Sequence, residues 1–486
     1  MIRKIPPHLS SPHTGYPLGG VPEGEAWSRG EELDIQNWDV VVVGAGPAGC
    51  VAATLFARKG LRVVIVDKSA APPSKVCGEY LSPGCLPILE RIGALRNIRE
   101  VGARPLHGML ISTSGGQVLR ARYPSSHYGL AIRRELLDPI LLDVAIKSDA
   151  EFLPHFQVSD LVWDGGRAVG IRGRHRGQPR MLRARLVIGA DGRNSVVARR
   201  LGTVMRHRWL DKLALVGYIT GARRADDLGQ IFLGRDRYCI LNPISPDLTN
   251  VGLVINRREF TPRTDATRYL MQTVTTFADL GDRLALARPI CPARCLGPLA
   301  YHALRLTAPG ALLIGDAAGF LDPFTGEGIY AALRSAELAA ESALPSLLGD
   351  FDSVPDLLAY GESWRHEFLA KWRLCTGLQH AIRHPLLAEG IVACLAWCPA
   401  LARLLMAAVG DLIPAPDPSL LHLLGRFLGN STSAVQDFLP TDPPGSIPDS
   451  LGPVPRDREV ERAHNGLNPN ITVAPRRPGV HRGIPP

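Results

Sequence analysis

Three features of this 486-residue sequence predict a mixed α/β fold: a parallel-sheet domain, a second sheet-containing domain inserted into it, and a helical C-terminal region. An apolar run at residues 40–43 meets a cluster of glycines and leads through a helical stretch into a second apolar strand. Two later apolar strands, 186–188 and 311–314, run into glycine and aspartate in the same way. Between these stations, residues 108–128 and 215–255 alternate apolar and polar positions with turn residues, the pattern of antiparallel strands.

The first unit reads as strand 40–43, helix 48–59 and strand 62–66, one βαβ crossover. Its turn carries Gly44-Ala45-Gly46-Pro47-Ala48-Gly49, a G-x-G-x-x-G pattern of the Rossmann type. Gly44 permits the tight turn, Gly46 lets backbone approach a pyrophosphate, and Gly49 lets helix and strand pack closely. The helix start, with Ala48 in its first turn, offers unpaired N–H groups and partial positive charge to that pyrophosphate. Asp67, followed by Lys68, ends the second strand 23 residues after Gly44, where a carboxylate receives a ribose hydroxyl pair. An acid there repels a 2′-phosphate, which leaves FAD or NAD as the dinucleotide.

Composition narrows the class. Apolar residues make up 45% and charged residues 21%, ordinary for a globular enzyme. The formal charge is +9, but only seven of the 55 basic residues are lysine and the arginines are scattered, so no nucleic-acid partner is expected. Nine irregularly spaced cysteines form neither a disulfide framework nor a zinc pattern; no metal site and a reducing, cytoplasmic setting are expected. Residues 1–37 have no continuous apolar stretch and read as a flexible extension, not a signal or anchor. Residues 391–410 are nearly all apolar and long enough to span a bilayer, yet Pro399 and Arg403 interrupt them. Two shorter helices meeting at Pro399 are expected, with 386–428 as a surface for peripheral membrane contact.

Further stations follow the first: Lys75-Val76-Cys77-Gly78-Glu79; Arg134 heading Arg134-Glu135-Leu136-Leu137-Asp138; Gly189-Ala190-Asp191-Gly192-Arg193-Asn194-Ser195; and Gly315-Asp316-Ala317-Ala318-Gly319 continuing to Pro323-Phe324-Thr325-Gly326-Glu327-Gly328-Ile329. Over residues 40–340 this order resembles the para-hydroxybenzoate hydroxylase-like FAD superfamily, and within it the geranylgeranyl reductase-related branch. The resemblance implies FAD as cofactor. It implies that Asp191 and Gly192 lie near the pyrophosphate, that Gly315 and Asp316 meet the ribityl chain, and that Arg134 runs along the phosphate and ribityl side. Gly326, Gly328 and Ile329 read as a helix start that can stabilise negative charge on a reduced flavin. Cys77 is a candidate catalytic residue by the same resemblance, with Lys75 and Glu79 positioning the flavin ring.

The expected division is 1–37 extension; 38–100, 129–204 and 296–345 FAD-binding domain; 101–128 and 205–295 substrate domain; 346–429 helical region; and 430–486 disordered Pro-rich tail. In the substrate domain the sequence departs from the reductases. Their Tyr-x-Trp-x-Phe-Pro element is here Tyr238-Cys239-Ile240-Leu241-Asn242-Pro243, which leaves Tyr238 as a pocket-lining residue and, with Cys77, a candidate catalytic one. A Trp-x-Trp-x-Ile-Pro element of flavin halogenases is absent, so halogenation is not expected. The expected activity is hydride delivery from the flavin to a double bond of a hydrophobic isoprenoid-, lipid- or polyketide-like substrate, with NAD(P)H as donor. The alternatives are a monooxygenase acting on an aromatic or polyketide-like ring, and a non-catalytic flavin-binding protein. No second G-x-G-x-x-G unit occurs, so a pyridine nucleotide would bind transiently across the FAD surface.

Overall fold

The computed structural model describes residues 36–414, apart from 73–74, 203, 208, 224–226, 262 and 350–356. The expected N-terminal extension as far as residue 35, the end of the helical region at 415–429, and the tail 430–486 lie outside the described residues. Gln36 and Asn37, assigned to the extension from sequence, belong to the first strand.

That strand, β1 (Gln36–Val43), is the centre of a parallel sheet, because its Val40–Val43 run is buried on both faces. Helix α1 (Pro47–Ala57) crosses to β2 (Val63–Val66), which pairs parallel to β1 and to Glu151–Leu153. On the other side of β1 lie Gln178–Gly189 and then Ala311–Leu313, both parallel. Val66, Val43, Gly189 and Leu313 are register partners, so four strands end at one level. The loops that follow them therefore emerge side by side at the C-terminal edge of the sheet, where open α/β sheets bind ligands.

The inserted domain is a second sheet. Its strands run in the order Lys212–Thr220, Thr249–Asn256, Arg237–Pro243, Gly229–Gly234, Gly108–Ser112 and Val118–Arg122. All these pairs are antiparallel except Gly229–Gly234 with Gly108–Ser112, which is parallel. The exception to the expected antiparallel sheet arises because strand 108–112 precedes the crossover through the first domain and meets its neighbour only when the chain returns. Both faces of this sheet are covered. Leu215, Phe232, Leu241 and Leu253 pack on one face with Leu270 and Val274 of the helix Ala266–Val274. The other face, with Val216, Ile231, Ile240 and Val254, turns toward the first domain.

The helix Gly328–Leu348 packs on α1 and runs through the expected boundary at 345/346 without a break. Next, Leu358–Arg383 spans the molecule; its Tyr360 hydroxyl donates to the Leu313 carbonyl at 2.6 Å. Pro385–Trp397 and Pro399–Val409 then form two helices bent by 109°, with Pro399 opening the second. No single described helix is long and apolar enough to cross a membrane. The last turn is fastened by Lys371, whose Nζ donates to Asp411 and lies 3.7 Å from Glu327 Oε2; all three side chains are buried.

Removing the cation would leave two buried carboxyls without it, a change that costs roughly 3–5 kcal/mol for a buried pair. Lys371→Met should lower the midpoint of denaturant unfolding accordingly. Adding Asp411→Asn and Glu327→Gln should return part of the loss, because no uncompensated charge then remains.

Candidate functional site

A cavity of about 1380 Å³, counted out to its open mouth, lies between the edge of the parallel sheet and the face of the second sheet. Gly46, Ala48, Lys75, Cys77, Arg134, Gly192, Asp316, Gly326, Gly328 and Ile329 all line it, although they come from six separate stretches of sequence. Glu79 lines it as well, and Gly44, Gly49, Asp67, Asp191, Gly315 and Tyr238 stand behind this layer.

Gly44 has φ 109°, and a Cβ there would meet the Ala190 carbonyl at 2.5 Å; at Gly49 a Cβ would meet the Gly44 carbonyl at 1.9 Å. These two glycines let the turn close, and the turn presents Gly46 to the cavity. Gly46 caps α1 in an extended conformation with no side chain on the helix start, so the first N–H groups remain open to a ligand. A Cβ at Gly46 would stand 3.1 Å from Lys75 Nζ, which places a flexible cation directly over that helix end. Helix N-terminus and ammonium together make an anion site of the kind a pyrophosphate fits.

Asp67 does not line the cavity. Its Oδ2 accepts from Ala45 N and its Oδ1 from Ser69 N, each at 2.9 Å, so it secures the glycine turn from behind while lone pairs remain for hydroxyl donors. Lys68 is exposed beside it. Asp191 caps the following turn, accepting from Val196 N at 2.6 Å through Oδ2 while its buried Oδ1 has no partner among the described residues. Gly315 has φ 55° and packs against Ala48, bringing Asp316 to the cavity wall. Asp316 makes no side-chain hydrogen bond to the described residues; burial raises its carboxyl pKa, and Lys75, Arg134 and Arg193 oppose that shift. An acceptor facing open space amid three cations suits the hydroxyls of a ribityl chain.

Arg134 is spoken for within its own helix. Its Nε and Nη2 donate to Asp138 Oδ1 and Oδ2, both at 2.6 Å, in a buried bidentate pair. Cys77 is also constrained: its Sγ accepts from Glu79 N at 3.2 Å, and burial pushes the thiol up, which disfavours the nucleophilic thiolate.

Tyr238 requires a correction. It shares a strand face with Ile240 and Asn242, which line the cavity, but its own side chain does not. Phe324 lies edge-on against its ring and covers it. The fully buried hydroxyl donates to Asp322 Oδ1, which also accepts from Gln379 Nε2 at 2.7 Å and Phe324 N at 3.0 Å. Tyr238 is thus a positioning residue for the loop that leads into Gly326 and Gly328.

Sequence reasoning missed the side chains that hold the Cys77–Glu79 segment. Asn250 Nδ2 donates to the Cys77 carbonyl at 3.2 Å, Asn242 Nδ2 to the Gly78 carbonyl at 2.7 Å, and the Tyr218 hydroxyl to Glu79 Oε1. The only available signal was strand alternation, which puts Tyr218 on the face of Ala214 and Val216. Arg193 was within a recognised station; its guanidinium lies 5.4 Å from the Tyr301 ring centre, and the Tyr301 hydroxyl donates to the Asp316 carbonyl at 2.8 Å.

Comparison with known proteins agrees with this geometry. A family model described as FAD binding domain matches residues 37–344. A tryptophan 2-halogenase from Chondromyces crocatus is 29% identical over 352 residues, covering 69% of this chain and 66% of its own length. A menaquinone reductase from Mycolicibacterium smegmatis is 30% identical over 348 residues, covering 66% of this chain and 80% of its own length. A digeranylgeranylglycerophospholipid reductase from Methanothrix thermoacetophila is 30% identical, with 67% and 83% covered. The solved structure of a flavin-dependent brominase shares the fold with a TM-score of 0.70 at 20% identity, over 81% of this chain and 99% of its own. Halogenases, set aside on the missing tryptophan element, therefore stand among the relatives beside the reductases.

A bulky side chain at Gly46 should displace both the ligand and Lys75. Gly46→Val should purify folded, with normal far-UV circular dichroism and flavin absorbance per protein reduced at least tenfold. Lys75→Met should weaken FAD retention by roughly ten- to a hundredfold, the worth of about 1.5–3 kcal/mol for a charge-assisted hydrogen bond.

Proposed function

The chain belongs to the FAD binding domain family of oxidoreductases, and from that premise we propose that it reduces a double bond of a hydrophobic substrate, with NAD(P)H as the electron source. The α1 N-terminus and Lys75 would hold the pyrophosphate, Asp67 the adenosine ribose, and Asp316 the ribityl hydroxyls. The start of Gly328–Leu348, after Gly326, would face the flavin ring. Bound FAD supplies two-electron chemistry, accepting a hydride from one partner and passing it to another. The chain's own part is to orient the substrate and keep water out.

One observation carries the substrate class. Beyond Met109, Ile231 and Phe324, which also line the first cavity, lies a second chamber of about 690 Å³, again counted to its mouth. Its far wall is made by Ile382, Val392, Leu395 and Met406 of the C-terminal helices, and among the described residues that line it Thr325 alone is not apolar. A dry chamber of this kind offers a polar molecule no partners and suits a hydrocarbon chain. Two reductases matched over 80% and 83% of their own length support the reading of a reduction.

The helix Pro385–Trp397 supports delivery from a lipid surface. Its Ala388, Val392 and Leu395 are buried against the chamber, while Leu386 and Trp397 are 88% and 90% exposed. A helix apolar both toward the chamber and toward its outer edge fits peripheral contact with a bilayer.

The test of the reaction is anaerobic incubation of the FAD-loaded chain with NADH or NADPH and either a prenylated quinone or a prenylated glycerolipid. A product heavier by two hydrogens is expected. Aerobic gain of one oxygen, or incorporation of added bromide, without the anaerobic product would overturn the reading. For the membrane contact, Leu386→Ser with Trp397→Ser should reduce co-sedimentation with lipid vesicles several-fold at unchanged FAD content.

A further inference from the structure

Glu79 occupies a backbone conformation that ordinary residues avoid. Its φ is 55°, in the left-handed region, with a side chain only 2% exposed. Such strain persists where surrounding structure over-determines it, and it concentrates at functional sites. Here the determinants are on both sides of the cavity. Oε1 accepts from Arg134 N at 3.1 Å and from the Tyr218 hydroxyl, whereas the buried Oε2 has no partner among the described residues. Glu79 itself lines the cavity.

The neighbouring charges leave this carboxyl without a dedicated cation. Arg134 is engaged bidentately by Asp138, and Arg133 pairs with Glu135 while its guanidinium lies 5.5 Å from the Tyr218 ring centre. Arg133 favours a charged Glu79, Glu135 disfavours it, and Cys77 adjoins it as a neutral thiol. Burial prevails and raises the Glu79 carboxyl above its usual range, against the hydrogen bonds from Tyr218 and Arg134 N. The other acid in the cavity wall, Asp316, faces Lys75, Arg134 and Arg193 instead. Burial raises both carboxyls, but three cations oppose the shift at Asp316 and one, Arg133, opposes it at Glu79.

We propose that Glu79, positioned by Tyr218, is the acid that protonates the substrate. The proposal rests on the reductase reading for its substrate. The π pair of the double bond forms a new C–H bond with the Glu79 proton, and the O–H pair stays on the carboxylate. The second C–H bond is completed by the hydride equivalent drawn from the reduced cofactor, so the substrate gains two hydrogens as the flavin is oxidised. The carboxylate regains its proton from water, while the half-buried Tyr218 hydroxyl keeps its own and stays the donor to Oε1.

Infrared spectroscopy tests the assignment independently of turnover. The wild-type chain, with or without FAD, should keep the carbonyl band of a protonated carboxylic acid to higher pH than an ordinary glutamate, a persistence lost in Glu79→Gln and shifted in Tyr218→Phe. In the anaerobic reduction, Glu79→Gln should lower kcat by about a hundredfold or more, the lower end of general-acid contributions, with FAD content and KM little changed. The wild-type rate should fall as pH rises through the elevated carboxyl range, and that limb should vanish in Glu79→Gln. A chain that reduces its substrate but lacks the band, or a Glu79→Gln variant with unchanged kcat and the same pH limb, overturns the proposal. A chain that shows the band but reduces no double bond overturns the reductase reading and supports Glu79 as the acid of the cavity.

Discussion

Everything at the site depends on the in-register ending of four parallel strands. Gly44 N donates to the Val66 carbonyl at 2.8 Å, Ala190 N to Val43 at 2.8 Å, and Ile314 N to Gly189 at 2.9 Å. These bonds carry the ladder one residue past the strands and set three loops at a single level. The spacing leaves no room for a side chain at Gly44, where the Ala190 carbonyl lies across the turn. A slip of one residue in any strand would move its loop off the common edge, and because both faces of these strands are buried the loop contacts, not the hydrophobic pattern, feel it first. The helix start at Gly46, the carboxylate of Asp67 and the cavity acid Asp316 meet only because that register holds.

The second sheet acts on the cofactor side mainly by holding it. Asn250, Asn242 and Tyr218 reach across to three successive residues, Cys77, Gly78 and Glu79. Tyr238 from the same sheet and Gln379 from the long helix converge on Asp322, and Lys212 Nζ donates to Gln379 Oε1 at 2.9 Å. Both loops that border the flavin side of the cavity are therefore fixed by polar side chains from elements that also shape the substrate side. Buried networks of this kind are costly to leave half-made, so the two domains favour one relative placement.

The parallel sheet was legible because its signals are local. Glycines at fixed spacing, an acid at the end of the second strand and apolar runs ending in Gly-Asp each depend on residues close in sequence, and the helix break at Pro399 follows from proline chemistry. What stayed hidden was long-range. Alternation told which face Tyr218, Asn242 and Tyr238 occupy, but not what stands opposite: the Cys77–Glu79 segment for the first two, Phe324 and Asp322 for the third. The parallel pairing of 108–112 with 229–234 was hidden for the same reason, since local pattern carries no information about the return of the chain. Asp67 was read as a ribose ligand, and its two backbone amide partners could not be inferred from spacing.

Relatives with different chemistry sharpen where the choice of reaction lies. A halogenase and a reductase match this chain over nearly equal lengths, 352 and 348 residues. The glycines and aspartates of the sheet edge, which any member of such a family needs for the same cofactor, cannot be what separates them. The variable part is the cavity's other wall: the inward face of the second sheet, the segment it grips, and the helices after residue 344 that close the apolar chamber. In this chain that wall combines dry surface with a single strained, buried carboxyl beside the cofactor side. In the reading proposed above, the carboxyl that burial raises in the same wall supplies the proton that reduction of a double bond needs.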